Sequence, residues 1–345
     1  MIRIRSVLLA LLAIVMAMPA PPASAQMSLN GAGATFPAPL YTKWFNEYAN
    51  KTGVQVNYQP IGSGGGIKAL TDKTVDFGAS DAIMTDEHLA AAPGTLHIPM
   101  TSGAVVLAFN SPELEGKLNL SPDALAGIYL GTITRWNDAA LAADNPGVSL
   151  PDKDIVTVHR SDGSGTTNIF TNYLSKVSST WNSQVGWSTS VNWPNGLGGQ
   201  GNAGVAGEIA ANDGAIGYVE LAYAVQNNLP VATLKNAAGE WVEASYGSTT
   251  AAFSGVTLPD DMKVMVTNSS NPLAYPIVGF TWILVNKEQT DQAKGKAVVD
   301  LLMWALHDGQ QYATSLNYAP LSPEAVAKAE ALVRSITYNG ASLAS

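Results

Sequence analysis

The sequence predicts an α/β protein of two domains. Short apolar segments typical of buried strands alternate along the chain with segments whose apolar residues recur at the spacing of one helix face. The chain has 345 residues, of which 13% are charged, so it is long enough for two hydrophobic cores. Because no long low-complexity linker is present, we expect the two domains to be joined by short crossings rather than by a flexible tether.

The individual elements follow from local residue patterns. A helix is expected to begin at Pro37, a residue suited to the first helical turn, and its apolar face is Leu40, Trp44, Phe45 and Tyr48. A second helix is predicted by the same spacing in Ile169, Phe170, Tyr173 and Leu174. Short apolar runs predict strands at 54–58, 104–109, 155–158 and 280–285. Two amphipathic helices are predicted near the C-terminus, at 299–306 and 324–336.

The N-terminus has the pattern of a secretory signal peptide. Arg3 and Arg5 precede an apolar run over Val7–Met18, and a small-residue cleavage site ends at Ala25. The run is shorter than the roughly 20 apolar residues that a membrane span requires. We therefore expect residues 1–25 to be removed during export.

The rest of the chain is expected to form two lobes with a discontinuous boundary. The strand candidates at 104–109 and 280–285 are plausible crossings between the lobes. The first lobe would then contain residues 26–103 and 276–345, and the second would contain residues 104–275.

Composition and missing motifs exclude several classes of function. The net charge of −9 argues against nucleic acid, which requires a basic surface. The chain has no cysteine, which excludes disulfides, thiolate metal sites and a lipidated cysteine anchor. Its four histidines lack metal-ligand spacing, and neither a nucleophile elbow nor a phosphate-binding P-loop is present. We predict no metal site, no cofactor and no catalytic residue.

The segment His159–Thr167 is the most informative part of the chain. It places an arginine, an aspartate, two glycines and several hydroxyl groups directly before a helical pattern. Free N–H groups and the positive end of the dipole favour anions at a helix start, glycine lets the backbone approach closely, and arginine offers a planar fork of donors. Two further segments, 31–37 and 62–66, share the order of glycine, hydroxyl and helix. Each hydroxyl has the alternative role of a simple helix cap, but together the three segments favour an oxyanion site.

Two carboxylates leave alternatives open. Asp162 lies two residues from Arg160, so the two form either a surface ion pair or a unit in which Asp162 holds the guanidinium for the anion. Asp81 either caps a helix that starts near Thr85 or Asp86 or binds the ligand. Because an ionised carboxylate only accepts hydrogen bonds, Asp81 would suit an oxyanion that carries a proton, such as hydrogen phosphate, and would oppose sulfate.

The chain resembles the periplasmic phosphate-binding proteins of high-affinity phosphate ABC transporters. The resemblance covers essentially the whole mature chain and is carried by Gly31–Pro39, Ile61–Gly66, Val75–Asp81 and Arg160–Thr166. The segments Gly214–Glu220 and 198–202 also look like the family, although the role of the glycine-rich 196–202 loop does not follow from its sequence. One departure is Gly64, where the family pattern leads us to expect serine, with an effect on loop stiffness rather than on ligand contacts.

The resemblance implies a type II periplasmic binding protein fold, in which each lobe is a mixed sheet flanked by helices and the ligand lies in the cleft. In that fold Asp81 would accept the ligand proton and Asp162 would be the partner of Arg160. The residues that the resemblance implies for phosphate contact are Thr35, Phe36 through its N–H group, Ser63, Asp81, Arg160, Ser164, Gly165 and Thr166.

The expected function is that of a monomeric periplasmic receptor. It would bind inorganic phosphate by hinge closure and deliver it to the membrane permease subunits of an ABC transporter. The alternatives are a secreted phosphatase on the same scaffold, a receptor for another tetrahedral oxyanion, and a structural or adhesive surface protein.

Overall fold

The computed structural model describes residues 27–344, which form an α/β fold; the predicted signal peptide, residues 1–25, lies outside the described residues. The strands are β1 (Ser28–Gly33), β2 (Gln55–Gln59), β3 (Phe77–Ser80), β4 (Thr95–Asn110), β5 (Asn119–Leu120), β6 (Val156–Arg160), β7 (Leu197–Gly199), β8 (Ala215–Glu220), β9 (Thr233–Lys235), β10 (Trp241–Val242), β11 (Val278–Asn286), β12 (Thr337–Tyr338) and β13 (Ala341–Ser342). The helices are α1 (Ala38–Thr52), α2 (Ser63–Thr71), α3 (Asp86–Ala91), α4 (Pro122–Leu130), α5 (Ala139–Asp144), α6 (Gly165–Val177), α7 (Ser179–Gln184), α8 (Gly201–Ala211), α9 (Leu221–Gln226), α10 (Tyr246–Ala252), α11 (Gln292–Leu306) and α12 (Pro323–Arg334). Short 3-10 helices occur at Pro112–Leu114, Asp308–Tyr312 and Thr314–Leu316.

The main sheet is mixed and has the strand order β2-β1-β3-β11-β4-β8-β6-β7. Strand β1 pairs in parallel with β2 and β3, whereas β11 runs antiparallel to β3 and β4. On the other side, β4 runs antiparallel to β8, and β6 pairs in parallel with β7 and β8. Parallel pairs require crossover connections, which helices supply here. The predicted α/β class and mixed sheet are confirmed.

Strand β4 changes partner in its middle. Residues up to Ala104 pair with β11, and residues from Val105 onward pair with β8. The N–H group of Val105 also donates to the Ile277 carbonyl, at 2.8 Å, so the two crossing segments are hydrogen-bonded side by side. We call the sheet from β2 to the first part of β4 the first half-sheet, and the remainder the second half-sheet.

This change of partner supports the predicted lobe boundary. We propose that the two half-sheets are the centres of two lobes, with the first formed by residues before 104 and after 275. Two adjacent hydrogen-bonded strands then form the crossing, which is the arrangement of a hinge with few points of rotation.

The two helices predicted from apolar spacing are confirmed. Helix α1 follows Pro37 and buries Leu40, Trp44, Phe45 and Tyr48. Helix α6 buries all four residues predicted for its apolar face. Three and four residues along a helix return to the same face, so the spacing alone identified the side that packs on the sheet.

The C-terminal helices differ in extent from the prediction. Helix α11 begins at Gln292, seven residues before the predicted start, because Asp291 caps it by accepting a hydrogen bond from the Lys294 N–H group. Ser322 similarly caps α12 through the Ala325 N–H group. In α11 the first turns precede the strongly apolar stretch from which the helix was predicted, whereas α12 begins one residue before its predicted start and ends at Arg334, two residues before its predicted end.

The longest helices, α1 and α11, contain 15 residues each. Within residues 27–344, no helix combines the length and apolar character that a bilayer crossing needs.

Candidate functional site

The predicted ligand residues lie on segments that follow strands of both half-sheets. Thr35 and Phe36 follow β1, Asp81 follows β3, and Ser63 is the first residue of α2. Because β1 and β3 are parallel neighbours, their C-terminal ends share one edge of the first half-sheet. The segment Arg160–Thr166 leads from β6 into α6 on the second half-sheet. All eight residues predicted to contact the ligand are buried.

Direct hydrogen bonds join the two sides of the site. The Gly165 N–H group donates to Ser63 Oγ, at 3.0 Å, across 102 residues of sequence. The Gly64 N–H group donates to the Gly163 carbonyl, at 2.9 Å. The glycine-rich segments that were predicted separately therefore meet in one closed arrangement.

Gly64 lies on this contact between the two sides. A Cβ atom at position 64 would be 3.2 Å from Gly163 Cα, and a Cβ at 163 would meet Gly64 Cα at the same distance. The departure from serine at position 64 therefore concerns how closely two backbone segments approach each other, and not only the stiffness of the loop.

Arg160 and Asp162 form a partly buried ion pair rather than a surface one. The Arg160 side chain is 1% exposed, and its Nε and Nη2 atoms donate to the two carboxylate oxygens of Asp162 at 2.7 and 2.5 Å. Burial raises the pKa of Asp162, but the hydrogen bonds and charge of Arg160, together with backbone N–H donors that include Gly201, jointly outweigh it and leave that pKa below its ordinary value. Asp162 thus fixes one edge of the guanidinium, while Nη1 lies 3.4 Å from Thr166 Oγ1.

Asp81 is a buried carboxyl group on the opposite side of the site. Its Oδ1 atom accepts a hydrogen bond from Thr281 Oγ1, at 2.8 Å, and the residue is 1% exposed. Burial raises the pKa of Asp81 from 3.8 to about 7, against the opposing effects of the Thr281 hydrogen bond, the Arg160 charge and Ser63. Because the carboxyl group titrates near neutral pH, the pH of the solution determines whether it donates or accepts a hydrogen bond.

The capping roles considered for these residues are mostly wrong. Helix α3 is capped by Thr85, whose side chain accepts from the His88 N–H group, and not by Asp81. Helices α1 and α2 have no side-chain cap, so neither Thr35 nor Ser63 serves as one.

Among the three glycine-rich segments, only the third has the predicted cap. Ser164 Oγ accepts from the Thr167 N–H group, at 3.0 Å. Ser63 Oγ instead accepts from two N–H groups that come from different segments, those of Gly165 and Asp81. Its own hydrogen remains a donor for an acceptor within the site.

Asn202 is a site residue that the sequence did not identify. Its Nδ2 atom donates to Thr35 Oγ1 at 2.8 Å and to Thr166 Oγ1 at 3.1 Å, and its Oδ1 accepts from the Glu220 N–H group at 2.9 Å. The neighbouring Gly201 N–H group donates to Asp162 Oδ1, at 3.0 Å. The 196–202 loop therefore links hydroxyl groups on both sides of the site, a role that no local motif encodes.

Two buried tyrosines fix the backbone of the site residues. The Tyr218 hydroxyl oxygen accepts from the Arg160 N–H group, at 3.0 Å. The Tyr223 hydroxyl donates to the Thr35 carbonyl, at 2.6 Å. Each tyrosine lies more than 50 positions from the residue that it holds, so sequence spacing gives no indication of these contacts.

A third tyrosine connects the site with the crossing between the half-sheets. The Tyr318 hydroxyl donates to the Phe36 carbonyl at 2.6 Å and also lies 3.0 Å from Glu220 Oε2. Glu220 is paired with Val105, where β4 changes partner. Burial raises the pKa of Glu220 well above its ordinary value, so the neutral acid is favoured at the crossing.

Gly165 is expected to tolerate no side chain. A Cβ atom at this position would lie 2.5 Å from Asp81 Cβ and 2.6 Å from Ser63 Oγ, so the two sides could not close around an anion. We expect Gly165→Ala to weaken anion binding at least tenfold, roughly the cost of modest overpacking. Titration calorimetry measures this effect.

Gly207→Ala is the matched control for this substitution. Gly207 lies within α8, and a Cβ there would meet no atom within 4 Å. Since alanine is the better helix former, this variant should keep its affinity and unfold at the same or a higher temperature. Equal affinity of the Gly165→Ala protein and the unaltered protein would contradict the close approach of the two sides.

Comparison with known proteins identifies the class. The model of the PBP superfamily domain matches residues 19–303, which is more than half of the chain. A solved structure of a high-affinity periplasmic phosphate-binding protein bound with phosphate (PfluDING) superposes with a TM-score of 0.71 at 23% identity, covering 88% of this chain and 93% of that one. The fold is thus that of the periplasmic binding proteins.

Closer relatives identify the family. The phosphate-binding protein PstS of Xylella fastidiosa is 46% identical over 317 residues, which cover 90% of this chain and 87% of the relative. The PstS protein of Pasteurella multocida is 46% identical over 307 residues, covering 88% and 89%. The chain belongs to the PstS family of phosphate-binding proteins.

Proposed function

We propose that this protein is a periplasmic receptor that binds hydrogen phosphate between its lobes and delivers it to the permease of an ABC transporter. One observation carries the proposal: a fixed cationic donor, Arg160, and a carboxyl group, Asp81, lie in the same buried site. An oxyanion that carries a proton satisfies both groups, because its oxygens accept from the guanidinium and its hydroxyl donates to the carboxylate.

The remaining predicted ligand residues supply further donors. We propose that Phe36 acts through its N–H group and that the Gly165 N–H group, which donates to Ser63 Oγ in this structure, turns to the anion when one is bound. Four side chains act through hydroxyl groups, namely Thr35, Ser63, Ser164 and Thr166. The N-terminus of α6, a helix of 13 residues, adds the positive end of its dipole. Because the site is buried, these hydrogen bonds act in a medium of low dielectric, where each is electrostatically stronger than in water.

Capture and delivery follow from closure of the lobes. Since donors come from both half-sheets, an anion gains its full set of contacts only when the two sides meet, and binding therefore favours the closed form. We propose that the closed, loaded receptor is the form that the permease recognises. The relatives are named phosphate-binding proteins, and the predicted signal peptide supports export to the periplasm, where we propose that the receptor acts as a monomer.

The two alternatives differ in what they require of the site. A receptor for sulfate or another proton-free oxyanion would leave an ionised Asp81 facing an acceptor, which is unfavourable. A phosphatase would require a nucleophile or a metal cluster, and within residues 27–344 no group of three or more His, Asp or Glu side chains is placed to hold a metal ion. Incubation with a chromogenic phosphomonoester tests the enzyme directly, since sustained turnover above the blank would favour it.

Isothermal titration tests the proposed receptor. The mature protein, freed of bound phosphate, is titrated with phosphate and then with sulfate at about pH 9, above the titration of Asp81, so that this carboxyl group is ionised. We expect one site for phosphate with a Kd of about 1 μM or tighter and little heat from sulfate. Equal binding of both anions would retain the oxyanion site and contradict the role of Asp81. The absence of binding to either anion would contradict the receptor itself.

A further inference from the structure

The residue that faces Asp81 across the sheet is Thr281. Strands β3 and β11 pair antiparallel with Ser80 opposite Trp282 and Ala79 opposite Ile283, so the next position in this register places Thr281 opposite Asp81. The register of β11 with β4 shifts between Thr281 and Trp282, and such irregularities re-aim side chains beside binding sites. Thr281 is fully buried, and its hydroxyl donates to Asp81 Oδ1 at 2.8 Å.

We propose that Thr281 is a positioning residue that keeps Asp81 a hydrogen-bond acceptor and thereby sets the pH above which the site excludes sulfate. The proposal rests on the proposed function and deepens it, because it concerns the specificity of the same site. Nothing in the glycine-rich segments indicates this role, since Thr281 lies 200 residues from Asp81 in sequence.

The two carboxylate oxygens of Asp81 have different roles. Oδ1 is occupied by the Thr281 hydroxyl, which leaves Oδ2 to receive the proton of the ligand. A hydroxyl that donates to a carboxylate stabilises its ionised form over its neutral form. Thr281 therefore both orients the carboxyl group and opposes the effect of burial.

Several other groups act on Asp81 from the surrounding elements. The charge of Arg160 and the Ser63 side chain favour its ionised form. The charge of Asp81 raises the pKa of Glu220, and by the same repulsion a negative charge on Glu220 would disfavour the ionised form of Asp81. The tyrosines that also interact electrostatically with Asp81 are Tyr41, Tyr58, Tyr223 and Tyr318. Since Arg160 and Ser63 also belong to the proposed ligand site, Thr281 is the group through which Asp81 is altered with least change to the anion contacts.

Sulfate is the probe, because it carries no proton across the neutral range and its own charge is constant. An ionised Asp81 turns two acceptors toward each other and excludes sulfate, whereas a protonated Asp81 donates to it. Sulfate binding should therefore strengthen as the pH falls through the titration of Asp81. Without the Thr281 hydrogen bond, the increase in sulfate affinity should begin at a higher pH.

The experiment measures sulfate and phosphate binding from about pH 5 to about pH 9, a range that spans the titration of a buried carboxyl group, in three proteins. Thr281→Val removes the donor at nearly constant volume, and Thr281→Ser keeps it. Near pH 9, well above the titration of Asp81 in the unaltered protein, we expect Thr281→Val to bind sulfate about tenfold more tightly than the unaltered protein, as expected for one lost hydrogen bond to a charged group. Thr281→Ser should follow the unaltered protein, and phosphate affinity near the alkaline end should change little.

A second measurement requires no anion. Infrared titration of the phosphate-free protein follows the protonated carboxyl band of Asp81, which is assigned by its loss in Asp81→Asn. The midpoint should lie at higher pH in Thr281→Val, and also in Thr281→Ala should the valine variant not fold.

The outcomes separate this proposal from the receptor function. An unchanged infrared midpoint, or an equal weakening of both anions at every pH, would assign Thr281 a purely structural role and overturn the proposal. Failure of the unaltered protein to bind phosphate would instead overturn the proposed function, while the infrared comparison would still test Thr281.

Discussion

Phosphate binding should weaken at least 100-fold in Arg160→Ala, which corresponds to about 3 kcal/mol or more. The substitution removes charged donors from a site that is closed to water, since the Arg160 side chain is 1% exposed. It also leaves the Asp162 carboxylate without its bidentate partner, and that negative charge then faces the incoming anion. Titration calorimetry at neutral pH measures the effect.

Arg135→Ala is the matched control. Arg135 also donates to aspartates, Asp152 and Asp154, but its side chain is 44% exposed and solvent screens the pairs. This variant should bind phosphate as the unaltered protein does. Arg160→Lys should recover only part of the lost affinity, because an ammonium group cannot use the planar fork that Asp162 holds. An Arg160→Ala protein with unchanged affinity would remove Arg160 from the site.

The sequence was most informative where function depends on local pattern. Helical spacing identified the buried faces of α1 and α6. The residue types around Arg160 left open whether Asp162 forms a surface ion pair with it or holds its guanidinium, and the bidentate hydrogen bonds to a nearly inaccessible Arg160 side chain favour the second interpretation. In each case the interacting residues lie within a few positions of one another, so the local sequence pattern indicates the contact.

The sequence was least informative where a side chain acts on a distant segment. Ser63 was interpreted through its own helix, yet its oxygen accepts from Gly165 and Asp81. Asn202 follows a glycine-rich loop with no recognisable motif, and its contacts are with Thr35 and Thr166. These pairs form only after the sheet has brought its two halves together, so no local propensity distinguishes them from an ordinary cap or loop residue.

Asp81→Asn should change selectivity more than affinity. The amide of asparagine donates as well as accepts, so it can face a sulfate oxygen that the carboxylate opposes. We expect sulfate affinity at pH 8 to rise by at least about tenfold, while phosphate affinity changes by less than about tenfold. Competition of labelled phosphate by sulfate measures the ratio. Asp86→Asn, at an exposed position on α3, also removes one negative charge. It should alter neither the sulfate affinity nor the phosphate affinity. If the Asp81→Asn protein still excluded sulfate, the proton-accepting carboxylate of Asp81 would not be what determines specificity.

The same substitution should stabilise the phosphate-free protein in a defined pH window. Burial raises the pKa of Asp81 from 3.8 to about 7, so the folded state holds this proton more tightly than the unfolded chain does. Stability is therefore lost as the pH rises from the ordinary value through the folded value, and the loss is complete above both. Asparagine has no proton to lose. The melting temperature of the phosphate-free Asp81→Asn protein should therefore exceed that of the unaltered protein near pH 8. The difference should shrink toward pH 4, where Asp81 is protonated in the folded state. A difference that stays constant across this range would mean that Asp81 remains ionised in the folded protein, and selectivity would then rest on its fixed charge alone.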